Sequence, residues 1–178
     1  MTARVSRRRL LAAGLALPVA GFAYAQPTCG ALTAAETEGP FFKPRSPNRV
    51  SFLENKGTRL VVTGRVLSTR CTPVAGALLD FWHADDDGEY DNQGFRYRGH
   101  QFTDADGHYR LETIVPAEYP GRARHIHVKV QRPGGRILTT QLYFPNNPGN
   151  QYDDIFRPEL VMQMATRGQG IYDFVVAA

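Results

Sequence analysis

The sequence predicts an all-β fold: an antiparallel β-sandwich with an extended N-terminal arm and one short helix near the C-terminus. Three observations carry that expectation. At 178 residues the chain can build one domain with a real core but not two comfortable ones. Beyond residue 56 it repeats short runs rich in Val, Leu, Ile and aromatic residues. The runs are separated by Asp106-Gly107, Pro120-Gly121 and Pro133-Gly134-Gly135, each of which supplies turn chemistry.

Taken in order, residues 26–56 are rich in Pro, Gly and Thr without a sustained period, and read as an arm laid over a sandwich of residues 57–178. Residues 58–67 and 77–83 read as the first two strands, with turn-forming residues 69–76 between them. Residues 108–114, 125–131, 136–144 and 171–176 follow in the same style. Residues 158–166 read as the helix, with Pro158 suited to a first turn and Gly168 to a stop.

The N-terminus has a different composition. Ser6-Arg7-Arg8-Arg9-Leu10-Leu11 leads into an apolar run and then Ala23-Tyr24-Ala25, the pattern of a signal peptide over residues 1–25, cut after Ala25. The paired arginines resemble a twin-arginine export signal, so a periplasmic or extracellular destination is expected. The run is short for a bilayer and interrupted by Gly14, Pro18 and Gly21, so no stable membrane span is expected after its removal. Arg4, Arg7, Arg8 and Arg9 leave with it, turning 21 basic against 17 acidic residues into 17 against 17. A neutral domain offers no electrostatic footprint for nucleic acid or a membrane surface. In an oxidising compartment Cys29 and Cys71 can pair, the alternative being two free thiols.

Chemistry concentrates in Arg122-Ala123-Arg124-His125-Ile126-His127. Strand side chains alternate, so His125 and His127 share a face and Arg124 points to the other. Two neutral imidazoles on one face suit zinc, copper or iron, and by themselves do not choose among them. Cysteine is nearly absent, and Asp85, Asp86, Asp87 and Glu89 sit where a solvated turn would also use them. Tyr90 can be a turn aromatic and Tyr119 a corner tyrosine bonded to backbone. His83, His100 and His108 read as surface residues or neighbours of the site, and Phe81 and Trp82 as core.

Phe81-Trp82-His83-Ala84-Asp85 through Tyr90, then Thr103-Asp104-Ala105-Asp106-Gly107-His108-Tyr109, then Ile114-Val115-Pro116-Ala117-Glu118-Tyr119-Pro120, run into the histidine strand. With Thr37-Glu38-Gly39-Pro40-Phe41-Phe42 upstream, the mature chain resembles the intradiol ring-cleavage dioxygenases. The resemblance implies a ferric ion, Fe(3+), held by Tyr90, Tyr119, His125 and His127, with Tyr119 dissociating to take a proton and Arg122 beside the substrate. It implies cleavage of a catechol by O2 to a cis,cis-muconate-type dicarboxylic acid. The chemistry of the ligand set agrees: a phenol ordinarily titrates near 10 and needs a strong cation to stay ionised, and zinc would prefer His with Cys or carboxylate.

Three departures from better-known members stand out. Tyr119 and His125 are only six residues apart, no long helical N-terminal segment of the dimer-forming kind is present, and this chain carries an export signal. Catechol, protocatechuate and hydroxyquinol stay open as substrates, as does a homo-oligomer. The competing classes are a non-catalytic transthyretin-like or carboxypeptidase-regulatory-like module, and a His-x-His zinc or copper enzyme.

Overall fold

Nine strands among residues 29–177, which the computed structural model describes, form two sheets. One holds β1 (Arg59–Ser68), β4 (His108–Ile114), β7 (Gln163–Thr166), β8 (Gln169–Ile171) and β9 (Phe174–Val176); the other holds β2 (Leu78–Trp82), β3 (Arg98–Phe102), β5 (His125–Gln131) and β6 (Ile137–Tyr143). Their orders are β4-β1-β8-β7, with β9 also on β1, and β3-β2-β5-β6. The expected signal peptide lies outside the described residues. Among the described residues no helix is long and apolar enough to cross a membrane.

Alternation sets the core. Ile126, Val128 and Val130 of β5 face inward with Leu79, Phe81 and Leu142, and meet Leu60, Val62, Val66 and Leu111 of the other sheet, nearly all fully buried. Each such side chain contributes about 1.5–3 kcal/mol by leaving water. Polar bonds also cross between the sheets: His83 Nε2 lies 2.6 Å from Thr113 Oγ1, while His83 Nδ1 donates to the Ala84 carbonyl at 2.6 Å. His83 is therefore an interior residue, 1% exposed, and not a surface residue.

Three expectations differ from the structure, and one strand was not expected. The sandwich is mixed, because β8 and β9 add to β1 in parallel. Residues 171–176 do not form one strand: the Tyr172 carbonyl approaches so closely that a Cβ on Gly64 would lie 1.8 Å from it, and Asp173 Oδ1 accepts the Arg65 N–H. The expected helix over residues 158–166 is a 3-10 turn at Pro158–Leu160 followed by β7, since Val161 and Met162 are drawn onto Tyr143 of β6, the Met162 N–H donating to its carbonyl at 3.0 Å. Finally, β3 was not legible in the sequence. Its Arg-Gly-His-Gln-Phe run lacks apolar alternation, and Phe52 from the arm packs where Gly99 has no side chain.

The arm is fixed at several points. The Thr33 N–H donates to Val175, Glu36 to Thr139, and Asn48 and Ser51 bridge to His100 and Glu112. Cys29 and Cys71 are joined in a disulfide, with Cα atoms 5.3 Å apart. Between these anchors residues 37–42 cross the outer face of the four-stranded sheet.

Candidate metal centre

That outer face carries the site. His125 and His127 project outward from β5, and the register pairs His127 with Trp82 on one side and Gln141 on the other. Two loops supply the tyrosines. After β2, Asp85 Oδ1 accepts the N–H groups of Asp87 and Glu89 at 3.0 and 2.9 Å, and Gly88 takes a positive φ. A side chain at Gly88 would strike the Glu118 carbonyl, so the Tyr90 loop packs directly on the Tyr119 loop, and the Ala117 N–H donates to Asp85 at 2.9 Å. Tyr119-Pro120-Gly121-Arg122 closes a tight turn, with Gly121 at φ +80° and the Arg122 N–H on the Tyr119 carbonyl at 2.9 Å. This turn explains how a six-residue spacing still delivers Tyr119 to the histidines.

The four candidate donors converge. Tyr90 Oη lies 3.4 Å from His125 Nε2, which lies 3.1 Å from His127 Nε2. The Tyr119 ring is 5.9 Å from that of Tyr90 and 5.6 Å from that of His125. His125 Nδ1 is 2.6 Å from the Ala123 carbonyl, which can only accept, so the proton is on Nδ1 and the Nε2 lone pair is free. His127 stacks on Trp82, 4.8 Å between centroids and 4° between planes, and its buried Nδ1 has no hydrogen-bond partner. Burial, then the Arg122 charge, pushes His125 down to about 4; burial and His125 itself push His127 well down. Burial pushes the Tyr90 phenol above its ordinary value, and Tyr119 adds to this.

Two desolvated, neutral imidazoles facing each other beside the buried Tyr90 phenol and the half-buried Tyr119 phenol fit a hard cation. It binds nitrogen lone pairs and compensates a phenolate that burial alone would disfavour. Among the described residues the Tyr119 hydroxyl meets the Arg122 guanidinium and not the backbone group that a corner tyrosine would require.

Arg122 sits over this group. Nη1 donates to Tyr119 Oη at 3.2 Å, Nη2 to Gln141 Oε1 at 2.6 Å and Nε to Asp153 Oδ2 at 3.0 Å. A 340 Å³ hollow bounded by Tyr119, Arg122, Gly149 and Tyr152 opens beside it. Arg124, on the opposite face as expected, lines a separate 920 Å³ cleft with Glu118 and Phe144 that contains none of the four donors.

Trp82 is buried as expected, in a second hydrophobic cluster on the outer face with Tyr90, Phe41 and Phe42. Phe41 stacks on Tyr90 at 4.3 Å. His100 and His108 stand apart, the first on the Ser46 carbonyl and the second beside Asp104. Asp153, Gln141 and Arg98 were missed. Gln141 was findable, two strands of alternation placing it opposite His127; Asp153 sits in a loop with no periodic signal.

The dioxygenase family model matches residues 37–175, covering every one of these side chains. The chain belongs to the intradiol ring-cleavage dioxygenase family. Among relatives of this family, it is 37% identical over 141 residues to the protocatechuate 3,4-dioxygenase beta chain of Burkholderia cepacia, covering 69% of this chain and 60% of that one. It is 31% identical to chlorocatechol 1,2-dioxygenase of Pseudomonas sp. strain P51, covering 81% and 68%. A solved dioxygenase domain from a dioxygenase carbohydrate-binding protein fusion of Streptomyces sp. SirexAA-E superposes with a TM-score of 0.80 at 52% identity, over 83% of this chain and 99% of that one. The chain thus spans about three fifths of the Burkholderia relative and two thirds of the Pseudomonas one, while matching nearly the whole of the Streptomyces domain.

Proposed function

We propose that this family member is a non-haem ferric dioxygenase that cleaves a catechol-type diol with O2 between its hydroxyl-bearing carbons, giving a cis,cis-muconate-type dicarboxylate. The observation that carries this reading is the convergence of Tyr90, Tyr119, His125 and His127 beneath Arg122. In the proposal, the four side chains hold Fe(3+), which when bound supplies Lewis-acid activation and a template for the diol. Two anionic oxygens and two neutral nitrogens suit the ferric state better than zinc.

This chain's residues do the rest. Tyr119 Oη, next to Arg122 Nη1, accepts a phenolic proton from the incoming diol. The Arg122 guanidinium favours the negative charge that remains on the ring, from a position fixed before the diol arrives. Phe41, Phe42 and Trp82 wall the His127 side with apolar rings and keep water from it. The diol enters by the hollow at Tyr152. We also propose that residues 1–25 direct export by the twin-arginine route, which would bring the enzyme to extracellular or periplasmic catechols; N-terminal sequencing of the exported form tests this.

Oxygen uptake by the iron-loaded protein with catechol, protocatechuate and hydroxyquinol tests the activity and the substrate together. Stoichiometric uptake with one diol is expected. Uptake with none, by protein carrying full iron, would overturn the proposal.

A further inference from the structure

We infer that Asp153 is the positioning residue that aims Arg122 at the candidate metal centre. The geometry stands on its own, while its kinetic consequence rests on the dioxygenase reading above. Asp153 follows β6 in a loop, yet its side chain is 1% exposed. A carboxylate that deep is costly unless its oxygens are matched. Here they are: Oδ2 accepts Arg122 Nε–H at 3.0 Å and the Ala123 N–H at 3.0 Å, and Oδ1 accepts the Ile155 N–H at 3.1 Å.

The two oxygens divide the work. Oδ1 caps its own loop, a local task that an amide oxygen can perform. Oδ2 reaches across to the segment between the second tyrosine and the first histidine. A guanidinium is a rigid planar fork, so holding its Nε edge determines where Nη1 and Nη2 point. With Nε on Asp153, Nη2 meets Gln141 and Nη1 meets Tyr119 Oη. Ala123, gripped by the same oxygen through its N–H, offers its carbonyl to His125 Nδ1. One buried carboxylate therefore sets the direction of Arg122 and steadies the residue that fixes the His125 tautomer. Asp153 itself touches none of the four candidate donors.

Asp153→Asn separates the tasks, because it keeps an oxygen for the cap and loses the ion pair to Arg122. In the iron-free protein, the Arg122 Nε–H resonance, identified by its loss in Arg122→Lys, is expected to exchange slowly with water. In Asp153→Asn it should exchange at least about ten-fold faster while β5 and β6 amides stay protected. In the iron-loaded protein, kcat should fall roughly 10- to 100-fold with KM changed less than about three-fold, the pattern of an interaction made in the transition state. A fast-exchanging Nε–H in the unmodified protein overturns the inference without any variant, should Asp153→Asn fail to fold. Unchanged exchange in Asp153→Asn, loss of protection spread through β5 and β6, or a KM rise with kcat intact would each overturn it too. If no diol is turned over, the dioxygenase reading fails while the exchange measurement still decides whether Asp153 holds Arg122.

Discussion

The Nε2 atoms of His125 and His127 stand 3.1 Å apart on the outer face of β5. Each ring is held from behind, His125 by the Ala123 carbonyl and His127 by the Trp82 face, so the pair is oriented without a metal. Tyr90 and Tyr119 are brought to it by loops packed through Gly88. A site built on a completed β-core and closed by turns should lose its metal without losing its fold, and the expected outcomes below exploit that separation.

Iron-loaded protein is expected to be visibly coloured by tyrosinate-to-iron charge transfer. Tyr90→Phe or His127→Ala should abolish iron retention while far-ultraviolet circular dichroism stays that of the β-sandwich. Metal analysis with absorption spectra checks both. A colourless protein holding stoichiometric zinc, or unfolding on chelation, would contradict the assignment.

Trp82 is the only tryptophan in the chain and lies flat against His127. Adding iron to the metal-free protein should quench its fluorescence, saturating at one equivalent. In His127→Ala the quenching should vanish; undiminished stoichiometric quenching there would place the metal elsewhere.

Acid stability should report His83. Burial, first of all, lowers this imidazole from its ordinary 6.5 to about 4. Between those values the unfolded chain takes up a proton that the folded chain refuses, so stability present above about pH 6.5 is lost as the pH falls toward 4. The loss is on the order of 3 kcal/mol. Denaturant midpoints at pH 7 and pH 4.5 should drop further in the unmodified protein than in His83→Gln, and parallel drops would contradict this.

Opening the Cys29–Cys71 disulfide should cost about 4 kcal/mol by the loop-closure relation, given its separation of 42 residues. Urea unfolding of Cys71→Ser against the unmodified protein measures it. An unchanged midpoint would show that the arm's hydrogen bonds alone hold it down.

The sequence made the outward pair on β5 legible because strand alternation is local, and the two tyrosines legible because their surrounding strings are long and ordered. What stayed hidden depends on tertiary contact. β3 carries no apolar alternation, since Phe52 from the arm supplies the packing at Gly99. Residues 163–166 form a strand on β8 because Val161 and Met162 just before them are buried against Tyr143, whose carbonyl accepts the Met162 N–H. Trp82 is core as its type suggests, but an aromatic next to Phe81 gives no sign that it joins a second cluster on the opposite face. Asp153 was invisible as one of two adjacent acids in a loop, its meaning appearing only when Arg122 lies 3.0 Å away.

Intradiol cleavage at this centre is read most directly by mass spectrometry of the product formed from a turned-over diol under isotopically labelled O2. A ring-opened dicarboxylic acid carrying both labelled oxygen atoms is expected. A semialdehyde from cleavage outside the diol, or a quinone carrying no label, would contradict it.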